Sequence, residues 1–376
     1  MIRSALPFAS LFNLLLLSGC GAETVAPDGA PDTPTVLFAR SSPDCSLTEI
    51  LTPKQLGNSE RGAFTSNGRF FAIGLRPEPE GDGLSWLVEV TRDGAGYQSS
   101  DLLTGTLEGT SNGTLGGQPR GDACSFSGMA VQGDVLYAAC FASDGRASML
   151  QLDTHTEEVR AGSFTTCNFE PATQPCKPII IYPNGMAIDD TGRIYTSNTQ
   201  AYGIAGLPVT DYSIAQIEIA PQQTEPGQLA FKFRSWLTKN IFYDGIAPNG
   251  IQIRDDVVYY AGGANVNAVP ILADGKAGRL RVLFSGPAIS VIDDFALGDQ
   301  ELLLARALPA NIGRLRWPTG AKTTREVTTC PMPALGAASS LTYQPSVTDG
   351  EPLFPAGSIV VTSFFGGGLY TLPGFR

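Results

Sequence analysis

Five oxygen-bearing side chains stand just ahead of, or at the start of, short apolar runs. They are Glu60 in Ser59-Glu60-Arg61-Gly62, Asn184 in Pro183-Asn184-Gly185, Asn249 in Pro248-Asn249-Gly250, and the neighbours Asp293 and Asp294. All are hard oxygen donors. Carboxylates gathered on one axis repel one another unless a cation joins them, and carboxylate plus amide oxygens suit a divalent ion, calcium first. Glu60, Asn184, Asn249 and Asp293 are therefore the expected metal ligands. Pro-Asn-Gly has a plainer meaning as well, because Asn and Gly tolerate positive φ in turns. Two copies of the motif, with an Asp at a third equivalent place, favour the ion. The one histidine, His155, sits in Leu152-Asp153-Thr154-His155-Thr156, which reads as a surface turn after a strand. No phosphate loop or dinucleotide fingerprint is present, which argues against nucleotide chemistry.

Such residues meet only if the fold repeats, and the chain does repeat. A turn residue, an apolar strand, a tight polar turn and a second apolar strand recur from Gly62, Gly128, Gly185, Gly250, Asp294 and Ser340, roughly every 44 to 66 residues. Each unit has room for four short strands, with later ones visible at Ser148–Leu152 and Ile214–Ile219. Four strands per repeat around a ring predict an all-β, six-bladed β-propeller. A sandwich, or a seven-bladed ring with one degenerate blade, is the competing all-β reading. In a propeller the innermost strands all start at one mouth of the central channel, so residues at those starts converge. Asn198 and Arg306 are expected at strand ends leading back to the same mouth. Each is placed to orient a substrate, and Arg306 could equally neutralise the Asp pair.

Twenty-five Lys and Arg against 36 Asp and Glu give a net charge of −11, with no basic run, which argues against a nucleic-acid partner. At the amino terminus Arg3 precedes an apolar stretch from Ala5 to Leu17, too short for a permanent span, and Leu17-Ser18-Gly19-Cys20 resembles the lipobox of bacterial lipoproteins. Residues 1–20 are then a signal segment ending at a lipidated Cys20, 21–44 a flexible tether rich in Ala, Pro, Asp, Thr and Gly, and 45–376 the propeller. The expected location is the periplasmic or extracellular face of a membrane, with the outer membrane favoured. Removing Cys20 from the seven cysteines leaves an even set, as a disulfide framework in an oxidising compartment requires. Cys167 and Cys176 flank a short loop, Cys124 and Cys140 face each other across a hairpin centred near Gly133, and Cys45 and Cys330 remain. Other connectivities stay open on sequence alone.

The strand-start motifs resemble those of the family of senescence marker protein (regucalcin), gluconolactonase and luciferin-regenerating enzyme, from about Glu60 to Thr362. The resemblance implies a six-bladed propeller holding a divalent metal in its channel and hydrolysing lactones or related esters. Pro248-Asn249-Gly250 is similar to the motif carrying that family's metal-binding Asn, and Asp293 to its metal-binding Asp. Pro183-Asn184-Gly185 resembles the segment whose Asn contacts substrate or metal, and Glu60 matches the first-blade Glu loosely. Two departures stand out: Arg61 interrupts the usual Glu-Gly-Pro, and Asp294 replaces a Gly. The implied chemistry is polarisation of a lactone or ester carbonyl by the ion, with Asp293 or Asp294 as the base that activates water. A non-catalytic propeller displaying loops such as Leu102–Ala123 and Ala201–Asp211 to a partner, or a metal that only staples the ring, are the alternatives. Composition and spacing leave the oligomeric state open.

Overall fold

The computed structural model describes residues 40–41 and, between 45 and 372, all but 77–83, 108, 111–113, 116–118, 121, 173–174, 180, 200–211, 222–224, 239–247, 288–289, 317–324, 333–335, 347–350 and 356. Cys20, the signal segment, most of the expected tether and the 201–211 part of the second loop lie outside the described residues.

Strands alternate with tight turns, and six antiparallel sheets form in chain order. Their innermost strands are Asn58–Phe64, Ser125–Gln132, Pro183–Ile188, Pro248–Arg254, Val291–Leu297 and Ala338–Tyr343. Each lies beside the next, and the last lies beside the first, so the ring closes. The fold is a six-bladed β-propeller. Blades one to five each take four consecutive strands. The sixth takes Ala338–Tyr343, Ile359–Ser363 and Leu369–Leu372, and its outer strand is supplied by Thr48–Leu51 from the start of the domain, antiparallel to Leu369–Leu372.

That borrowed strand is one closure of the ring, and a disulfide is another. Cys45 pairs with Cys330, Cys124 with Cys140 and Cys167 with Cys176, at Cα separations of 5.4, 5.6 and 5.0 Å. The first bond ties the segment leading into the closing strand to the outer strand of blade five, Arg325–Pro331. Arg40–Ser41 also joins that blade, parallel to Thr328–Thr329, so the chain meets the ring before the boundary expected at Cys45.

The core is divided among the blade interfaces. Between blades one and two lie Ile73, Leu87, Phe126 and Leu136; between two and three, Met149, Phe164, Ile194 and Phe233. Between six and one, Phe70 and Phe354 meet edge-on at 5.4 Å. A flat sheet buried on both faces needs apolar residues on both, which explains near-continuous apolar runs such as Val135–Phe141. Burying such side chains stabilises by about 1.5–3 kcal/mol each. This rigid ring fixes the inner strands relative to one another.

Candidate functional site

Every inner strand carries a register shift near its start. Residues 60–61 fall between the pairs Ser59↔Gly74 and Gly62↔Ala72, and residues 184–185 and 249–250 fall in the same kind of gap in blades three and four. In blades two, five and six the skipped residue is Ser127, Asp293 or Ser339. A bulge re-aims a side chain away from the ladder. The six equivalent positions around the mouth are therefore Glu60, Ser127, Asn184, Asn249, Asp293 and Ser339.

Two of the six are committed to holding neighbouring blades. Ser127 Oγ donates to Pro183 O, and Ser339 Oγ donates to Ser59 O. The remaining four are the expected ligands Glu60, Asn184, Asn249 and Asp293, all half-buried. Asn249 Nδ2 donates to Asp293 Oδ1, which leaves the Asn249 carbonyl oxygen as an acceptor. Glu60 Oε2 is enclosed and has no hydrogen-bond partner among the described residues. Burial, then repulsion from Asp293, pushes Glu60 well above the usual carboxylate range. Asp293 is pushed up to about 7 by burial and by Asp294, against the pull of Arg61 and the Asn249 hydrogen bond. Among the described residues no three His, Cys, Asp or Glu converge as a metal cluster, so an ion here must draw on the amide oxygens as well.

Just inside this ring the inner strands of neighbouring blades press together. Gly128, Gly185 and Gly250 follow the mouth residues of blades two to four, and a Cβ on them would lie 1.8 Å from Asn184 O, 2.5 Å from Asn249 O and 2.1 Å from Asp294 Oδ1. The equivalent residues of blades one and five are Arg61 and Asp294. Arg61 reaches across the channel, with Nη1 3.1 Å from Asp294 Oδ2 and Nη2 donating to Ile251 O at 3.3 Å. The two residues are 5% and 1% exposed. Burial raises the Asp294 pKa and Arg61 opposes that rise. The two departures from the family pattern are thus partners. Sequence reading named both without pairing them; their equivalent places in the repeat, with opposite charge, are the signal that joins them.

Of the two Asp residues, then, Asp293 belongs to the mouth and Asp294 to the waist beneath it. Asn198 is buried, and its Oδ1 accepts from the Tyr182 backbone N–H at 2.9 Å, a contact that holds the approach to Pro183. Arg306 is buried too, stacked 5.8 Å over Phe284 and donating to Asn311 Oδ1 at 3.3 Å. The neutralising cation of Asp294 is Arg61. His155 is exposed in a turn, its backbone N–H bonded to Asp153 Oδ1.

No family model matches the chain, and no curated protein matches it. Solved structures do. The chain is similar to luciferin-regenerating enzyme at 12% identity and a TM-score of 0.50, over 88% of this chain and 95% of that one. It is also similar to a glucose dehydrogenase-type oxidoreductase of Thermus thermophilus, at 14% identity, a TM-score of 0.49, and 87% and 98% of the two chains. The major allergen Mala s 1 of Malassezia sympodialis matches at 13% identity and a TM-score of 0.49, over 89% and 96%. At such identities the likeness is one of fold.

Proposed function

We propose that this propeller is an exported, lipid-anchored hydrolase that opens lactones or related esters with a divalent cation, calcium first, held at the strand-start mouth by Glu60, Asn184, Asn249 and Asp293. The observation that carries the reading is the enclosed Glu60 Oε2, without a partner among the described residues and beside Asp293 on the same ring of bulges as two asparagines. The donor set is all oxygen and carries two carboxylates, which suits a hard cation better than a soft one. The three disulfides support an oxidising compartment, and Cys20 supplies the attachment point for the lipid.

The cation, when bound, supplies positive charge against which a carbonyl is polarised and an oxyanion is stabilised. Asp293 is the residue to take a proton from the attacking water, since Asp294 is held by Arg61. Asn249, donating to Asp293, fixes the orientation of that carboxylate. The Asn184 side chain makes no hydrogen bond to a described residue and faces the mouth as a positioning group for substrate or cation.

A panel of lactones and aryl esters, assayed with and without chelator, tests this directly. Turnover that disappears on chelation and returns with calcium is the expected result. If no member turns over in a metal-dependent way, the ring serves as a binding platform instead.

A further inference from the structure

Asp294 is no ligand of the proposed cation, yet it is the most enclosed charged residue described, at 1% exposure. Gly250 of the neighbouring blade makes room for it, since a Cβ there would lie 2.1 Å from Asp294 Oδ1. Phe295 N–H and the Ser340 hydroxyl favour its charged form. Asp294 Oδ2 holds Arg61 Nη1 at 3.1 Å and Ile251 O holds Nη2 at 3.3 Å, so a guanidinium that starts from blade one is pinned to blades four and five. That cation borders the proposed ligands. Arg61 follows Glu60 directly, Asp294 follows Asp293, and the positive charge of Arg61 draws both Glu60 and Asp293 toward their ionised forms. Even so, the guanidinium is bonded to Asp294 and Ile251, and Glu60 Oε2 keeps no hydrogen-bond partner among the described residues. A cation that acts on two carboxylates is held by a third.

We infer that Asp294 is a positioning residue for the cation site: it clamps the Arg61 guanidinium beneath the mouth, so that Glu60 and Asp293 stay open to a divalent ion instead of being neutralised from within. This clamp presupposes the proposed cation site and adds its electrostatic control. Ionised Glu60, Asp293 and Asp294 against one guanidinium leave two negative charges, the complement of one divalent ion. Clamped together, Arg61 and Asp294 form a neutral pair whose opposed fields largely cancel at the ion. The two ways of breaking the pair are not equivalent. Without Asp294 the guanidinium is free to turn toward Glu60 and Asp293, and it repels an entering ion. Without Arg61 no internal cation competes for those oxygens. At an effective dielectric of about 20, a unit charge a few Å from the ion alters affinity by about tenfold or more.

The test is a calorimetric titration of the intact, metal-stripped protein with calcium chloride, in the wild type, Asp294→Asn, Arg61→Met and the double variant Arg61→Met with Asp294→Leu. Circular dichroism establishes which variants are folded, and Asp294→Ser replaces Asp294→Asn if that one is not. Asp294→Asn weakens calcium binding about tenfold or more. Arg61→Met breaks the same pair and strands the other charge, yet binds calcium at least as tightly as the wild type. The double variant, in which neither charge is stranded, restores wild-type affinity. A pair that only braces the ring would weaken binding in both single variants, so that result overturns the clamp, as does unchanged affinity in a folded Asp294 variant. A wild type that binds no calcium overturns the cation site and the clamp together. Calcium binding by the wild type with both single variants behaving alike overturns the clamp alone.

Discussion

The two ends of the channel are built from the same six strands, yet they offer different chemistry: oxygen donors alone at one end, mixed apolar and polar side chains at the other. At the strand starts a bulge in every blade turns Glu60, Asn184, Asn249 and Asp293 toward a polar mouth. A few residues later the same strands are regular and line a cavity with Phe64, Val131, Met186 and Ile188 beside polar residues such as Thr65, Gln252 and Thr342. What separates the two is a single buried ion pair, Arg61 with Asp294, whose carboxylate fills the space that Gly250 leaves open. The difference teaches that in a propeller the position along the inner strand, more than the identity of the blade, decides what a residue can do.

The most forceful way to break that division is to remove one member of the ion pair. Arg61→Met leaves Asp294 buried without its partner and should cost about 3–5 kcal/mol in denaturant-unfolding experiments. Arg61→Met combined with Asp294→Leu should recover most of the loss, because neither charge is stranded. Additive losses would show that the pair is not coupled.

Protonation sharpens the contrast next. In metal-free protein Glu60 and Asp293 have raised pKa values, chiefly from burial. An acid whose folded pKa lies above its unfolded value, about 4, stabilises the fold fully below that value, and the contribution fades as pH rises through the folded pKa, here about 7 for Asp293. The melting temperature of chelated protein should therefore fall between about pH 4 and 7. Added calcium should reverse the fall at the upper end, since the ion competes with protons for the same oxygens. A calcium-insensitive fall would place the acid-sensitive groups elsewhere.

A smaller effect is expected at Asn198, whose side chain serves the backbone. Asn198→Ala strands the Tyr182 N–H and should cost about 1–3 kcal/mol while calcium affinity is kept. Loss of calcium binding without loss of stability would move Asn198 into the ligand ring. The smallest change belongs to His155→Ala, an exposed turn position, which should stay within about 0.5 kcal/mol and leave the pH profile of hydrolysis unaltered.

Much of this was legible in the residues. Strand pairs such as Val135–Tyr137 after Met129–Val131 announce a hairpin, and six such phrases announce the ring. The three cysteine pairs suggested by a short loop, a hairpin and ring closure are the ones that form, although the sequence left other connectivities open. Less legible was everything that depends on one blade meeting another. Thr48–Leu51 is too short and too mixed in polarity to be recognised as the outer strand of blade six before its partner Leu369–Leu372 is known. The inner strands begin before their apolar runs, as at Asn58 rather than Gly62, because a bulge breaks the alternation that marks a strand. Arg61 and Asp294 lie far apart in sequence, so their pairing shows only when the repeats are superposed. Arg306, a cation at a strand end, gave no sign that it would stack on Phe284.

The claim on which the rest depends is that the strand-start mouth holds a cation. Calorimetric titration of chelated wild-type protein with calcium, alongside Asn249→Ala and Asp293→Ala, tests it most directly. One ion bound by the wild type, with the heat of binding lost in both variants, is the predicted result; binding unchanged in both would contradict the account.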